Sequence, residues 1–128
     1  MLSKLAFLGL LTVSAALPNG TPTLDKRAAC TPKAGGSASV DDVSAITSCF
    51  KASATVVLPA SSTYYANSVL DFAGCTNCDF QIEGLLKFTS DTSYWSGKTA
   101  MININKISGL KIRSLTGNGV IDGNGQDS

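Results

Sequence analysis

Asp41-Asp42 is the one adjacent pair of carboxylates in the chain, and two carboxylates are the minimum equipment of an acid–base hydrolase. The pair falls in the first turn of a helical pattern, where the positive end of the helix dipole accounts for it without catalysis. Asp122 lies in Gly117-Asn118-Gly119-Val120-Ile121-Asp122-Gly123-Asn124-Gly125-Gln126. Among such turn residues its side chain is expected to bind backbone amides. Lys111-Ile112-Arg113 alternates like an ordinary strand with two outward cations. Tyr94 and Trp95 offer rings that could stack on a sugar or pack over the surface beneath them.

These residues belong to a chain of 128 residues, room for one domain at most. Residues 1–16 read as a signal peptide: Lys4, an apolar run from Leu5 to Val13, then Ser14, Ala15 and Ala16. The run is shorter than the roughly 20 residues that span a bilayer. Residues 17–27 hold Pro18, Gly20 and Pro22 and close on Lys26-Arg27. A dibasic pair in a flexible pre-domain position reads as a processing site, so the mature chain is expected from 28 to 128. The sequon Asn19-Gly20-Thr21 falls in the segment to be removed. Without residues 1–27, seven basic and eight acidic residues remain. That balance offers no patch for nucleic acid or an anionic membrane.

The four cysteines, Cys30, Cys49, Cys75 and Cys78, all lie in the mature part. An even number in a secreted chain favours two disulfides, with three connectivities possible. Local pairing, Cys30–Cys49 and Cys75–Cys78, is the expectation; the first contributes about 3 kcal/mol in the chain-entropy model. Cys75-Thr76-Asn77-Cys78 also spells a redox motif or half a zinc site. No second cysteine pair has zinc spacing and the chain has no histidine, so neither reading fits well and a structural disulfide is favoured; no cofactor is expected.

One helix is expected, Ser39–Ala52, capped by Ser39 with Asp42 completing a capping box. Its apolar stripe is Val40, Val43, Ile46, Cys49 and Phe50. Beyond it the period changes to short strand runs: Thr55–Leu58, Tyr64-Tyr65, Ser68–Phe72, Phe80–Gly84, Leu85–Phe88, Met101–Asn105, Leu110–Leu115 and Val120-Ile121. Gly, Asn, Asp and Pro mark the corners, and Thr89–Thr99 reads as a polar loop. This pattern fits a stacked parallel β-helix, with a β-sandwich as the competitor. An amphipathic helix ahead of the strands would cover the first coil's open edge.

Several blocks now carry a resemblance. A leader, a dibasic pro-segment and Ala29-Cys30-Thr31 before a disulfide-tied helix resemble secreted fungal polygalacturonases of glycoside hydrolase family 28. So do Gly84-Leu85-Leu86-Lys87-Phe88, Ile107-Ser108-Gly109-Leu110-Lys111-Ile112 and Gly119 to Gln126. The last block is the most specific, and Trp95 in its polar loop adds support. The resemblance spans essentially 1–128. It implies an all-β fold, a right-handed parallel β-helix with an N-terminal capping α-helix. It implies hydrolysis of α-1,4 galacturonosyl bonds in pectin with inversion and without a metal. Pectin or polygalacturonate, and a plant polygalacturonase-inhibiting protein, are the implied partners of a full-length extracellular monomer.

The family's Asn-Thr-Asp, Asp-Asp, Gly-His-Gly and Arg-Ile-Lys motifs are not matched. Asn77-Cys78-Asp79 differs from the first, Asp41-Asp42 shares only the spelling of the second, and Lys111-Ile112-Arg113 reverses the last. No catalytic residue is therefore assigned. Residues 28–128 are expected to be the N-terminal part of a pectinase β-helix, inactive alone. A non-catalytic secreted β-helix stub, a rhamnogalacturonan or xylogalacturonan hydrolase and an exo-acting enzyme stay open. A pectate lyase fits less well, since its acidic calcium cluster is not evident.

Overall fold

Short strands, each stopped by a corner, make this chain close coil upon coil. The computed structural model describes residues 28–127. The leader, the pro-segment and the Lys26-Arg27 site lie outside the described residues. Helix α1 (Val43–Ala52) precedes β1 (Thr55–Leu58), β2 (Thr63–Ala66) and β3 (Leu70–Asp71), which form the first coil. The second coil holds β4 (Asp79–Ile82), β5 (Leu85–Phe88), the single helical turn α2 (Thr92–Trp95) and β6 (Ile102–Asn103). The third holds β7 (Lys111–Arg113) and β8 (Val120–Asp122), then a 3-10 turn at Gly125–Asp127.

Among the described residues every strand pairing is parallel, in three sheets ordered β1-β4-β7, β2-β5-β8 and β3-β6. Each sheet takes one strand per coil. The fold is a right-handed parallel β-helix with α1 as its cap. Side chains alternate in and out along β1, β2, β4 and β5, as a pleat requires. Register stacks Val56, Phe80 and Ile112 in one inward row. Tyr64, Leu86 and Ile121 make another. The first two coils seal these rows, with Val56, Phe80 and Leu86 wholly buried. In the third coil Ile121 is 46% exposed.

At the other end, α1 covers the first coil with Val43, Ile46 and Cys49. Phe50 meets Phe72 and Phe80 edge to face, with centroids 5.2 and 5.3 Å away. Cys30 is bonded to Cys49 and Cys75 to Cys78. The first disulfide ties α1 to a segment that extends the β1 edge, where the Cys30 amide donates to the Thr55 carbonyl at 2.8 Å. The Ser53 hydroxyl donates to the Ala28 carbonyl and fixes the chain just before that edge.

Three local expectations are corrected. The helix begins at Val43 rather than Ser39, and Ser39 does not cap it: its hydroxyl lies 2.8 Å from that of Ser37. Asp42 occupies the capping position but makes no side-chain cap. Its carboxylate instead accepts from the distant Gly35 and Tyr65 amides, each at 2.8 Å. Val40, outside the helix, is 42% exposed. Of Met101–Asn105 only Ile102–Asn103 pairs, and Leu110–Leu115 shortens to Lys111–Arg113, leaving Ile104 and Leu115 exposed. These runs alternate, but the chain turns before their ends find a partner strand.

Candidate functional site

The corners decide how one coil sits on the next. Gly84 is packed so closely under the first corner that a Cβ would lie 2.5 Å from the Pro59 and Ser62 carbonyl oxygens. Beside it, Glu83 reaches down to the third coil. Its carboxylate accepts from the Ser114 hydroxyl (2.7 Å), the Leu115 amide (2.7 Å) and the Thr116 amide (3.1 Å) and hydroxyl (2.6 Å). Those donors, the Thr116 hydroxyl foremost, hold its pKa down at about 2. The folded pKa is below the ordinary value, so the clasp stabilises fully above about pH 4.5 and is lost as pH falls toward 2. Glu83→Gln is therefore expected to melt below wild type at pH 6. The gap should close as pH is lowered to 2 in a melting series.

The other carboxylates are also committed to the scaffold. Asp41 accepts from Val43, Asn67 and Ser68, and Asp42 from Gly35 and Tyr65. Asp71 accepts from Ala73 and Asn103, and Asp91 caps α2 by accepting from Ser93 and Tyr94. Asp122 ends β8 rather than lying in a turn, and accepts from the Asn124 amide at 2.8 Å. Asp79 makes a two-point ion pair with Arg113, at 2.9 and 2.6 Å, and also accepts from Gln81. The Arg113 guanidinium keeps the Asp79 carboxyl below its ordinary pKa. A general acid needs the opposite shift. Asp41, Asp42 and Asp79 are thus each held by scaffold partners.

Lys111 and Arg113 do point outward from β7, with Arg113 occupied by Asp79. Tyr94 and Trp95 pack against each other at 4.7 Å, and Trp95 lies 6.1 Å from Phe88. The Tyr94 hydroxyl accepts from the Val69 amide and the Trp95 ring donates to the Thr89 carbonyl. Both rings therefore anchor the α2 excursion to the coil. One arrangement escapes a reading of the sequence. Register aligns Tyr65, Lys87 and Asp122 in an outward row across β2, β5 and β8. Beside this row lies a groove of about 280 Å³ lined by Tyr65, Lys87, Asn67, Thr89, Ser90 and Asn124. The signal was the in–out alternation of each strand, but the row emerges only once coil register is known.

With this geometry in hand, comparison with known proteins is informative. No family model matches the chain. It is 58% identical over 136 residues to the probable endo-xylogalacturonan hydrolase A of Aspergillus flavus, covering 99% of this chain and 33% of that protein. To the endo-xylogalacturonan hydrolase A of Aspergillus tubingensis it is 55% identical over 129 residues, covering 97% and 32%. The crystal structure of endo-xylogalacturonan hydrolase from Aspergillus tubingensis superposes with a TM-score of 0.76 at 62% identity, over 78% of this chain and 28% of that one. The chain thus spans about a third of the length of the curated relatives it matches. By sequence and by fold together, it belongs to glycoside hydrolase family 28.

Proposed function

We propose that this chain is the cap and opening coils of a secreted glycosidase that cuts the backbone of xylogalacturonan internally, with inversion at the anomeric carbon. The observation that carries this is identity above one half, along nearly the whole chain, to proteins named for that activity. Within the family this favours xylogalacturonan over the unsubstituted polygalacturonate that the sequence resemblance first implied. An inverting enzyme needs a carboxylic acid and a carboxylate about 6.5–9.5 Å apart, with room for water between. Every carboxylate from Asp41 to Asp122 is bonded to its own scaffold, so the acid and base of this reading come from further coils. This chain's part is to start the stack and hold it in register. We also assign residues 1–16 to secretion and Lys26-Arg27 to removal of 17–27. The new N-terminus would then be Ala28, whose carbonyl accepts from the Ser53 hydroxyl.

The test is to read the transcript past the Ser128 codon and assay the encoded product. We expect downstream codons for the paired aspartates. The product should release xylosylated oligomers whose new ends first appear in the inverted anomeric form by proton NMR. Faster cleavage after the xylose branches are stripped would return the reading to polygalacturonase. A reading frame with no such motifs would end it.

A further inference from the structure

Three outward surfaces invite a ligand, and two are already closed by the protein itself. The β1-β4-β7 face is bridged by the Arg113–Asp79–Gln81 contacts. The rings of the α2 excursion are held by Val69, Thr89 and Phe88, and Lys98 covers the Tyr94 ring at 4.6 Å. The groove on the β2-β5-β8 face is different. Lys87 is half-buried there between Tyr65 and Asp122 in the outward row. Among the described residues the one ion pair is Arg113–Asp79, so no carboxylate lies within ion-pair distance of Lys87. Asp122 is turned to the Asn124 amide instead.

The groove is also built rather than incidental. Asp42 grips the Tyr65 backbone at both ends: its amide donates to the Tyr65 carbonyl at 2.7 Å and its carboxylate accepts from the Tyr65 amide at 2.8 Å. Asn67 is set by donating its side-chain amide to the Ala38 carbonyl at 2.8 Å. Such contacts fix the Tyr65 backbone and the Asn67 side chain before a ligand arrives. At about 280 Å³ the groove is smaller than most whole-ligand pockets, which start near 300 Å³. It suits one unit of a long ligand. An aromatic ring, an ammonium with no carboxylate in direct ion-pair contact and a rim of amide and hydroxyl groups match a pyranose that carries a carboxylate.

We propose that Tyr65 and Lys87 form a uronate subsite: Lys87 binds the carboxylate of one sugar unit and Tyr65 packs against its ring. This deepens the proposed function and rests on it. The experiment titrates the full-length product calorimetrically, at low temperature, with a short oligogalacturonate and with the same oligomer reduced to its primary alcohols. Lys87→Gln should bind the acidic oligomer about tenfold more weakly and the reduced oligomer as wild type does, since a charge-assisted bond is what is lost. Lys87→Arg should recover most of the loss. Lys111→Gln, outward on the β1-β4-β7 face, should change neither titration. Unchanged binding of the acidic oligomer by Lys87→Gln, or an equal loss for both oligomers, would overturn the subsite. A wild-type product that cuts xylogalacturonan while Lys87→Gln keeps its KM sinks only the subsite. One that neither binds nor cuts any uronide sinks the proposed function with it.

Discussion

Asp42→Ala should lower the unfolding free energy by about 3 kcal/mol, read as a fall in denaturation midpoint at unchanged slope. Asp42 is 2% exposed, and its carboxylate takes two partly buried backbone-amide bonds, from Gly35 and Tyr65. Hydrogen bonds to a charged group contribute about 1.5–3 kcal/mol each, and orphaned buried donors add to the loss. The substitution also cuts the strap between the α1 cap and the first coil. Asp42→Asn keeps an acceptor oxygen, so a smaller drop is expected. A midpoint for Asp42→Ala within about 0.5 kcal/mol of wild type would show that the amides find other partners. Because Asp42 also positions Tyr65, loosening it should weaken uronate binding without touching Lys87.

Gly119→Ala should undock the third coil. Gly119 carries an ordinary backbone angle, so the argument is one of space alone. Its added methyl would overlap the Ile82 carbonyl oxygen and come within 3.2 Å of the Ser114 hydroxyl. A backbone carbonyl inside a ladder cannot swing aside as a side chain would, and overpacking of this kind costs about 1–3 kcal/mol or more. Gly117 is the control: it holds φ 78° but has open space around it, so alanine there costs about 1–2 kcal/mol of backbone strain. Hydrogen exchange locates the damage. In Gly119→Ala the amides of β7 and β8 should lose protection while those of β1 and β4 keep theirs. Equal loss throughout, or none, would contradict the assignment.

The strand tokens and the cap were legible because they depend on near neighbours. Thr55–Leu58 and Leu85–Phe88 read as compact strand runs from their own residues, and both are strands in the fold. The start of α1 was not legible, because Asp42 is claimed by Tyr65, a residue in another element, and not by its own first turn. The α2 turn hid in a stretch read as loop, although Asp91 ahead of Thr92 was a usable capping signal. Glu83 and the Tyr65–Lys87–Asp122 row were invisible for a stronger reason. They join residues one or two coils apart, and the coils differ in length, so no fixed spacing in the sequence brings them together. The family could be named from its blocks. The polymer of the proposed function could not, since those blocks describe the scaffold.

Between β5 and β6 the backbone leaves the stack, makes the α2 turn and returns with Leu70 still seated on Ile102. Length is thus absorbed sideways. A related protein could lengthen or trim that detour by many residues while each rung kept its place. Thr89 and Ser90, where the detour departs, border the groove. Sequence can therefore change along this fringe while the interior stays as it is, much as a bookshelf accepts new spines without moving its uprights.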